Sequence, residues 1–185
     1  MRLGDHTDLA PDDMDFRILA VLQDDCRTPL ARIGKVVGLS PPAVLERIKK
    51  LEVAGIVTGY RATLDGRKLG LDITAFIGVN ISHPTRIGEF EERIAAIADV
   101  LECHHVTGEY TLLLKVKTAN TSSLERLISQ IRSLEGVART ETMVVLSTHT
   151  ERVHVALHPT AAPPVVPGKR PRRNGERAAA DLRRA

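Results

Sequence analysis

The chain has 185 residues, of which 43% are hydrophobic, 26% charged and 3% aromatic, and its formal net charge is +3. This length suits one ordinary domain or two small ones, and the apolar share is large enough to build their cores. With no Trp, three Phe and two Tyr, the chain has few rings on which bases could stack, which disfavours a reader of single-stranded nucleic acid.

The positive charge is concentrated at the C-terminus. Residues 159–185 hold seven Lys and Arg against two Asp and Glu, together with five of the ten prolines. Their net charge is +5, which leaves −2 for residues 1–158. We therefore predict a disordered basic tail, which could attract phosphates without specificity, and expect any specific DNA binding to depend on a local basic surface.

The sequence predicts a cytoplasmic protein with no membrane partner. No apolar run approaches the roughly 18 residues that span a membrane, and Arg2, Asp5 and Asp8 stand where a secretory signal would be apolar. Cys26 and Cys103 are far apart, so reduced thiols are expected rather than a disulfide scaffold.

Residues 12–55 carry the pattern of three short helices. Asp12 is the predicted N-cap of the first, whose apolar stripe is Met14, Ile18, Leu19 and Leu22. The second begins at Thr28-Pro29, interpreted as a cap followed by the first helical residue, and ends at Gly38. The third begins with the cap Ser40 and two prolines and continues to Gly55.

The segment after the third helix predicts a small wing. Residues 56–64 place β-branched residues around Gly59, which favours two short paired strands, and residues 65–70 supply turn residues. We predict a winged helix-turn-helix domain over residues 11–65 and a hinge over residues 66–71.

From residue 72 the apolar period changes, and the predicted order is βαββαβ. The strands are expected at residues 73–81, 100–107, 110–116 and 137–146, and the helices at 87–97 and 123–134. This order is that of a ferredoxin-like α+β domain, here over residues 72–158, with both helices on one face of an antiparallel sheet. A partner subunit is expected to cover the other face. Residues 152–157 alternate apolar and polar as an edge or exchanged strand would.

Residues 29–53 fit a helix-turn-helix, whose second helix enters the major groove of duplex DNA. Leu45, Ile48 and Leu51 are predicted to face inward. The small and charged residues of the outward face are the predicted DNA contacts, joined by one Arg on the wing: Ser40, Pro41, Pro42, Ala43, Glu46, Arg47, Lys49, Lys50 and Arg61. The pattern alone also admits ordinary solvated charges at these positions.

The run Cys103-His104-His105 raises a metal-site hypothesis. In a strand, Cys103 and His105 share a face while His104 points the other way, so at most two could ligate one ion. No second cluster completes the set, and no residue is spaced to activate Cys103 as a nucleophile. We predict no metal site and no catalytic residues.

Several stretches together resemble the Lrp/AsnC family of leucine-responsive and asparagine regulators. The resemblance runs in order from about residue 11 to 157, and six stretches carry it: 14–19, 37–41, 45–52, 55–60, 102–110 and 136–142. Each is weak alone, but six in register are specific.

The resemblance implies a winged helix-turn-helix joined to a ligand-binding domain whose sheets pair face to face in dimers, which assemble into tetramers or octamers. It also implies no cofactor, but an amino acid or related effector bound where dimers meet. The residues implied to line that site are Thr107, Gly108, Glu109, Tyr110, Thr111, Thr140 and Thr142. The family often has an acid where this chain has Thr111, so the ligand's identity stays open.

An enzymatic alternative is also open, because the sirohaem decarboxylases resemble the same family. His104, His105 and Arg139 would then be the candidate residues. The basic outer face of the third helix favours the regulator, since a converted enzyme would have no use for it.

Overall fold

The structure is a computed structural model that describes residues 10–158; the predicted basic tail at 159–185 lies outside the described residues. The described chain divides into two compact units. The first comprises residues 10–60 together with 153–158, and the second comprises residues 61–152.

The first unit contains the three predicted helices. They are α1 (Asp13–Asp24), α2 (Leu30–Val37) and α3 (Pro41–Val53). Each turns an apolar stripe inward, and the stripes meet in one aliphatic core formed by Ile18, Ile33, Val37, Val44 and Ile48. Because burial of aliphatic surface is the main force that holds such short helices, the packing of α2 on α3 depends on this core.

The predicted capping residues of these helices are confirmed, with one exception. Asp12 and Asp15 form a capping box at α1, and Ser40 Oγ accepts the Ala43 amide at 3.4 Å. Gly38 ends α2 in the left-handed region at φ 77°. The prediction of Thr28 as a cap is wrong: Pro29 occupies the N-cap position of α2, and no side chain there accepts a hydrogen bond.

The predicted two-stranded wing is wrong for the described chain. Residues 56–64 contain no strand, although their residue types favour one. Strand propensity acts only through pairing, and an isolated two-stranded ribbon this short is marginal in water.

The predicted edge strand at residues 152–157 is also wrong, whereas a strand exchanged with a partner subunit stays a prediction. The segment contains no strand, and its bonds run to a side chain instead. Gln23 of α1 accepts the Val155 amide at 2.9 Å through Oε1 and donates to the Val155 carbonyl at 3.2 Å. One glutamine amide thus replaces the pairing that a neighbouring strand would supply.

The second unit confirms the predicted βαββαβ order. Its elements are β1 (Ile73–Ile81), α4 (Ile87–Ala95), β2 (Val100–His105), β3 (Leu112–Thr118), α5 (Thr121–Arg132) and β4 (Val137–Val144). The strands form one antiparallel sheet in the order β2-β3-β1-β4. This is the ferredoxin-like arrangement with β4 and β2 at the edges.

The two faces of this sheet differ. One face packs against α4 and α5 in a core that includes Ile77, Val79, Phe90, Leu114 and Ile131, all nearly or fully buried. Side chains alternate between the faces, so the other face carries the neighbours of these residues. We call it the open face, and it presents Phe76, Gly78, Asn80, Leu113, Lys115, Arg139, Glu141 and Met143.

Candidate nucleic-acid interface and effector region

The turn between α2 and α3 is built on Gly34, which the sequence analysis did not single out. The Gly34 carbonyl accepts the amides of Gly38 at 2.8 Å and Leu39 at 2.9 Å. A Cβ at position 34 would lie only 2.4 Å from the Leu39 carbonyl oxygen. The backbone of the turn therefore lies directly against α2, at a distance that only glycine permits.

The faces of α3 differ in part from the prediction. Val44, Ile48 and Leu51 are buried, whereas Leu45 is 38% exposed, so its predicted inward orientation is wrong. Val44 and Leu45 are 100° apart on the helix, and the core against α1 and α2 takes Val44. Six positions of the outward face are exposed: Pro41, Pro42, Leu45, Glu46, Lys49 and Lys50.

Ala43 and Arg47 are half-buried rather than fully outward. Arg47 Nη1 donates to Asp12 Oδ2 and to Asp15 Oδ1, each at 2.8 Å. The carboxyl pKa of Asp12 is lowered, first by the hydrogen bond from the Asp15 backbone amide and then by Arg47. The pKa of Arg47 is raised by its bonds to Asp15 and Asp12. The structure thus places Arg47 in an ion pair with α1.

Tyr60 and Arg61 follow α3 in a segment without secondary structure. The Tyr60 hydroxyl donates to Glu52 Oε1 at 2.9 Å, and desolvation followed by this bond raises the pKa of Tyr60 to about 12. Arg61, predicted on the wing, is exposed and belongs to the second unit.

The turn before β3 brings part of the predicted effector set to the open face. Gly108 has φ +122°, a conformation that side chains rarely adopt, and the Tyr110 ring lies over Gly78 of β1, where a Cβ would come within 2.6 Å of the ring. Arg139 pairs with Glu141 at 3.0 Å and with Glu109 at 3.8 Å.

Charge and burial act together at Tyr110. Desolvation raises the pKa of its hydroxyl first, and the nearby charges of Glu141 and Glu109 raise it further. A phenol is protonated at neutral pH even with its ordinary pKa, so the Tyr110 hydroxyl can donate a hydrogen bond beside two carboxylates and one guanidinium.

Thr111 completes the turn through its backbone and hydroxyl. Its amide donates to Asn80 Oδ1 at 3.1 Å and to the Val79 carbonyl at 3.0 Å, and its Oγ1 accepts the Ile81 amide at 3.2 Å. The residue that departs from the family pattern thus joins the turn to the end of β1. Thr107 is exposed.

Thr140 and Thr142 do not join this cluster. They pair with Val79 and Ile77, whose side chains are buried beneath the helices, and directly opposed residues share a face. Both threonines are therefore directed to the helix-covered face. The structure brings Gly108, Glu109 and Tyr110 together with Arg139 and Glu141, and it separates this group from the two threonines.

A cavity that the sequence analysis missed lies elsewhere in the second unit. It has a volume of about 570 Å³ and is lined partly by the open face, through Phe76, Lys115 and Lys117, and partly by residues 64–72 and 145–151. Lys115 donates to Glu151 at 2.5 Å and to Glu102 at 3.3 Å. The bond from Lys115 lowers the carboxyl pKa of Glu151, whereas the pKa of Glu102 is lowered first by its hydrogen bond with His104 and then by Lys115. No alternation pattern could reveal a cavity that loops complete over one face of the sheet.

The residues of the metal hypothesis are arranged as expected. His104 pairs with Glu102 at 3.1 Å on one face, and Cys103 lies opposite Leu114 on the other, where burial raises the pKa of its thiol. Within residues 10–158, no group of three or more His, Cys, Asp or Glu side chains is placed to hold a metal ion. Nor is any helix in that range long and apolar enough to cross a membrane.

A three-helix unit with an exposed basic helix, followed by a ferredoxin-like unit, defines the class of helix-turn-helix regulators with a companion ligand-binding domain. Residues 12–52 match the model of the AsnC-type helix-turn-helix domain, and residues 74–155 match the Lrp/AsnC ligand binding domain. The chain belongs to the Lrp/AsnC family.

Relatives and solved structures agree with this assignment. The HTH-type transcriptional regulator FL11 of Pyrococcus horikoshii is 33% identical over 79% of this chain and 96% of its own length. The structure of Escherichia coli AsnC superimposes with a TM-score of 0.74 at 29% identity, covering 79% of this chain and 99% of that one.

A regulator from Neisseria meningitidis, solved in complex with L-Met, gives a TM-score of 0.76 at 30% identity over 80% of this chain and 97% of its own. The family and these relatives are transcriptional regulators, not enzymes, which removes the decarboxylase alternative.

Proposed function

We propose that the protein is a sequence-specific, duplex-DNA-binding transcriptional regulator whose DNA binding or assembly responds to an amino acid or related metabolite. The observation that carries the proposal is the exposed face of α3, which has the small residues Ser40 to Pro42 at its start and Lys49 and Lys50 about two turns further along. Small residues at a helix start permit close approach to bases, and the lysines can contact phosphates.

Homodimers, and tetramers or octamers built from them, are proposed to form through the open face. Phe76, Leu113 and Met143 give that face an apolar strip that the helices do not cover. Apolar surface of this kind is stabilised by burial against a second copy.

Loss of charge on α3 is expected to reduce the salt dependence of DNA binding. Each phosphate contact contributes about 0.9 to the slope of log K against log salt, so Lys49→Ala with Lys50→Ala is expected to lower the slope by roughly 2. The slope is measured by fluorescence anisotropy on a duplex selected from a random library by the wild-type protein.

Lys68→Ala is the matched control for this measurement, because Lys68 is 84% exposed but lies in the second unit. It is expected to leave the slope unchanged. Absence of any duplex affinity at low salt would contradict the proposal that the protein binds DNA.

The proposed effector site groups Thr107 to Thr111 with Arg139 and Glu141 on the open face, whereas Thr140 and Thr142 lie on the other face. Glu109, Glu141 and Arg139 offer both signs of charge, which suits the ammonium and carboxylate of a free amino acid. The L-Met complex of the Neisseria regulator supports this ligand class.

A panel of amino acids that includes L-methionine is expected to contain one that raises the melting temperature. A ligand at 100 times its Kd stabilises the folded state by about 2.7 kcal/mol, which corresponds to a shift of several degrees. Gly108→Val is expected to abolish the shift, since φ +122° strains a β-branched residue.

Gly88→Ala provides the control, because Gly88 lies in α4 with open space around its missing Cβ. That variant should retain the full shift. No shift with any amino acid, or a shift that survives in Gly108→Val, would count against the proposed site.

A further inference from the structure

The surroundings of Arg47 differ from those of its neighbours on α3. Lys49 and Lys50 are exposed, and the ion pairs between described residues include neither of them. Arg47 keeps 33% of its side chain in solvent and contacts two carboxylates. The basic residues of α3 therefore differ in availability: Lys49 and Lys50 can contact a phosphate, whereas Arg47 is already paired with two carboxylates.

The two carboxylates bind Arg47 as part of the cap of α1. Asp12 accepts the Asp15 amide at 2.8 Å through Oδ1 and Arg47 through Oδ2. Asp15 accepts the Asp12 amide at 3.1 Å through Oδ2 and Arg47 through Oδ1. Each carboxylate divides its oxygens between the helix end and the guanidinium, so the start of α1 and the middle of α3 share one network.

The local charge makes this position unsuitable for a DNA phosphate. One guanidinium faces two carboxylates, and both lie 2.8 Å from the same nitrogen. A phosphate that approached Arg47 would meet an excess of negative charge and would have to displace bonds that also cap α1.

We propose that Arg47 is a positioning residue rather than a DNA contact: held by Asp12 and Asp15, it fixes the orientation in which α3 enters the major groove. The inference rests on the proposed DNA-binding function. It assigns base and phosphate contacts to the exposed residues of α3, and it assigns the orientation of that helix to the ion cluster of Arg47 with Asp12 and Asp15.

The test compares two duplexes, one selected from a random library by the wild-type protein and one of mixed sequence. Arg47→Gln is expected to weaken binding to the selected duplex roughly tenfold, because a misplaced α3 loses contacts with the bases. The slope of log K against log salt is expected to stay at the wild-type value on both duplexes, because no phosphate contact is lost. The ratio of the two affinities does not depend on the folded fraction, so partial unfolding cannot produce this result.

A double-mutant cycle connects the effect to the carboxylate. Asp15→Asn keeps an oxygen for the Asp12 amide but loses the charge, and the double variant with Arg47→Gln is expected to bind the selected duplex no more weakly than the weaker single variant. Lys49→Gln is the matched control, because Lys49 is exposed and, unlike Lys50, does not line the depression that contains Asp12, Asp15 and Arg47. It should lower the slope by about 0.9 and add to Asp15→Asn without coupling.

A fall in slope of about 1 with Arg47→Gln, additive with Asp15→Asn, would overturn the inference and make Arg47 a phosphate contact. An unchanged affinity ratio in Arg47→Gln would overturn it as well. Failure of the wild-type protein to bind either duplex would instead contradict the proposed function, and the inference with it.

Discussion

Gly34→Ala is expected to destabilise the helix-turn-helix unit by about 1–3 kcal/mol, the usual cost of forcing an extra methyl group into a packed interior. The new Cβ would lie 2.4 Å from the Leu39 carbonyl oxygen, which is a backbone atom and has no rotamer by which to move aside. The helix-forming advantage of alanine, roughly 1 kcal/mol, opposes the effect without cancelling it.

Thermal and urea unfolding, followed by circular dichroism, would measure the change. Gly88→Ala is the matched comparison, because its Cβ meets nothing within 4 Å and should be neutral or stabilising by up to about 1 kcal/mol. If Gly34→Ala proved as stable as the wild-type protein, the turn could not be packed as closely as the structure has it. A loss of DNA binding at temperatures where the variant is folded would show that the turn also sets the position of α3.

Arg47→Leu is expected to cost the first unit about 2–3 kcal/mol of stability. The partner left behind, Asp15, is a buried carboxylate with only 10% of its side chain exposed. Breaking a fully buried pair costs roughly 3–5 kcal/mol, and the exposed third of Arg47 reduces that figure.

Asp15→Asn in the Arg47→Leu background should recover part of the loss, since a neutral amide is cheaper to bury unpaired than a carboxylate. The free energies of unfolding of the single and double variants, measured by urea titration, test this expectation. Equal stability of the single and double variants would mean that the carboxylate is solvated and that the cluster contributes little.

The lowered pKa of Asp12 also predicts how the stability of the first unit changes with pH. The carboxyl pKa of Asp12 is lowered in the folded state, so its contribution is present above the ordinary value of 3.8 and is lost as the pH falls through the lowered one. The wild-type unit should therefore lose stability in acid more steeply than Asp12→Asn.

The sequence predicted the helices of the first unit because their signals are local. The Asp12 cap, Gly38 and the apolar stripes act within one or two turns, and the structure confirms them. Val44 and Leu45 show the limit of such reasoning. Both are apolar and adjacent in sequence, but Val44 is buried and Leu45 is exposed, because the packing of the neighbouring helices determines which side of α3 is covered.

The errors concern interactions between distant residues. Arg47 lies 32 residues from Asp15, so a basic pattern on α3 could not reveal that this cation is already paired. Residues 56–64 have strand-forming side chains but pair with no strand of residues 10–158. Alternation along β4 separates Thr140 and Thr142 from Arg139 and Glu141, yet only the register with β1 shows which pair faces the helices.

The bonds between Gln23 and Val155 bear on the topology of the whole chain. Residues 153–158 belong to the same compact unit as α1, α2 and α3, so the chain leaves that unit after Tyr60 and re-enters it at Val153. The ligand-binding unit is therefore inserted between two segments of the first unit and is joined to it covalently at both ends. The Gln23 bonds fix the point at which the chain returns to the first unit, at the C-terminal end of α1.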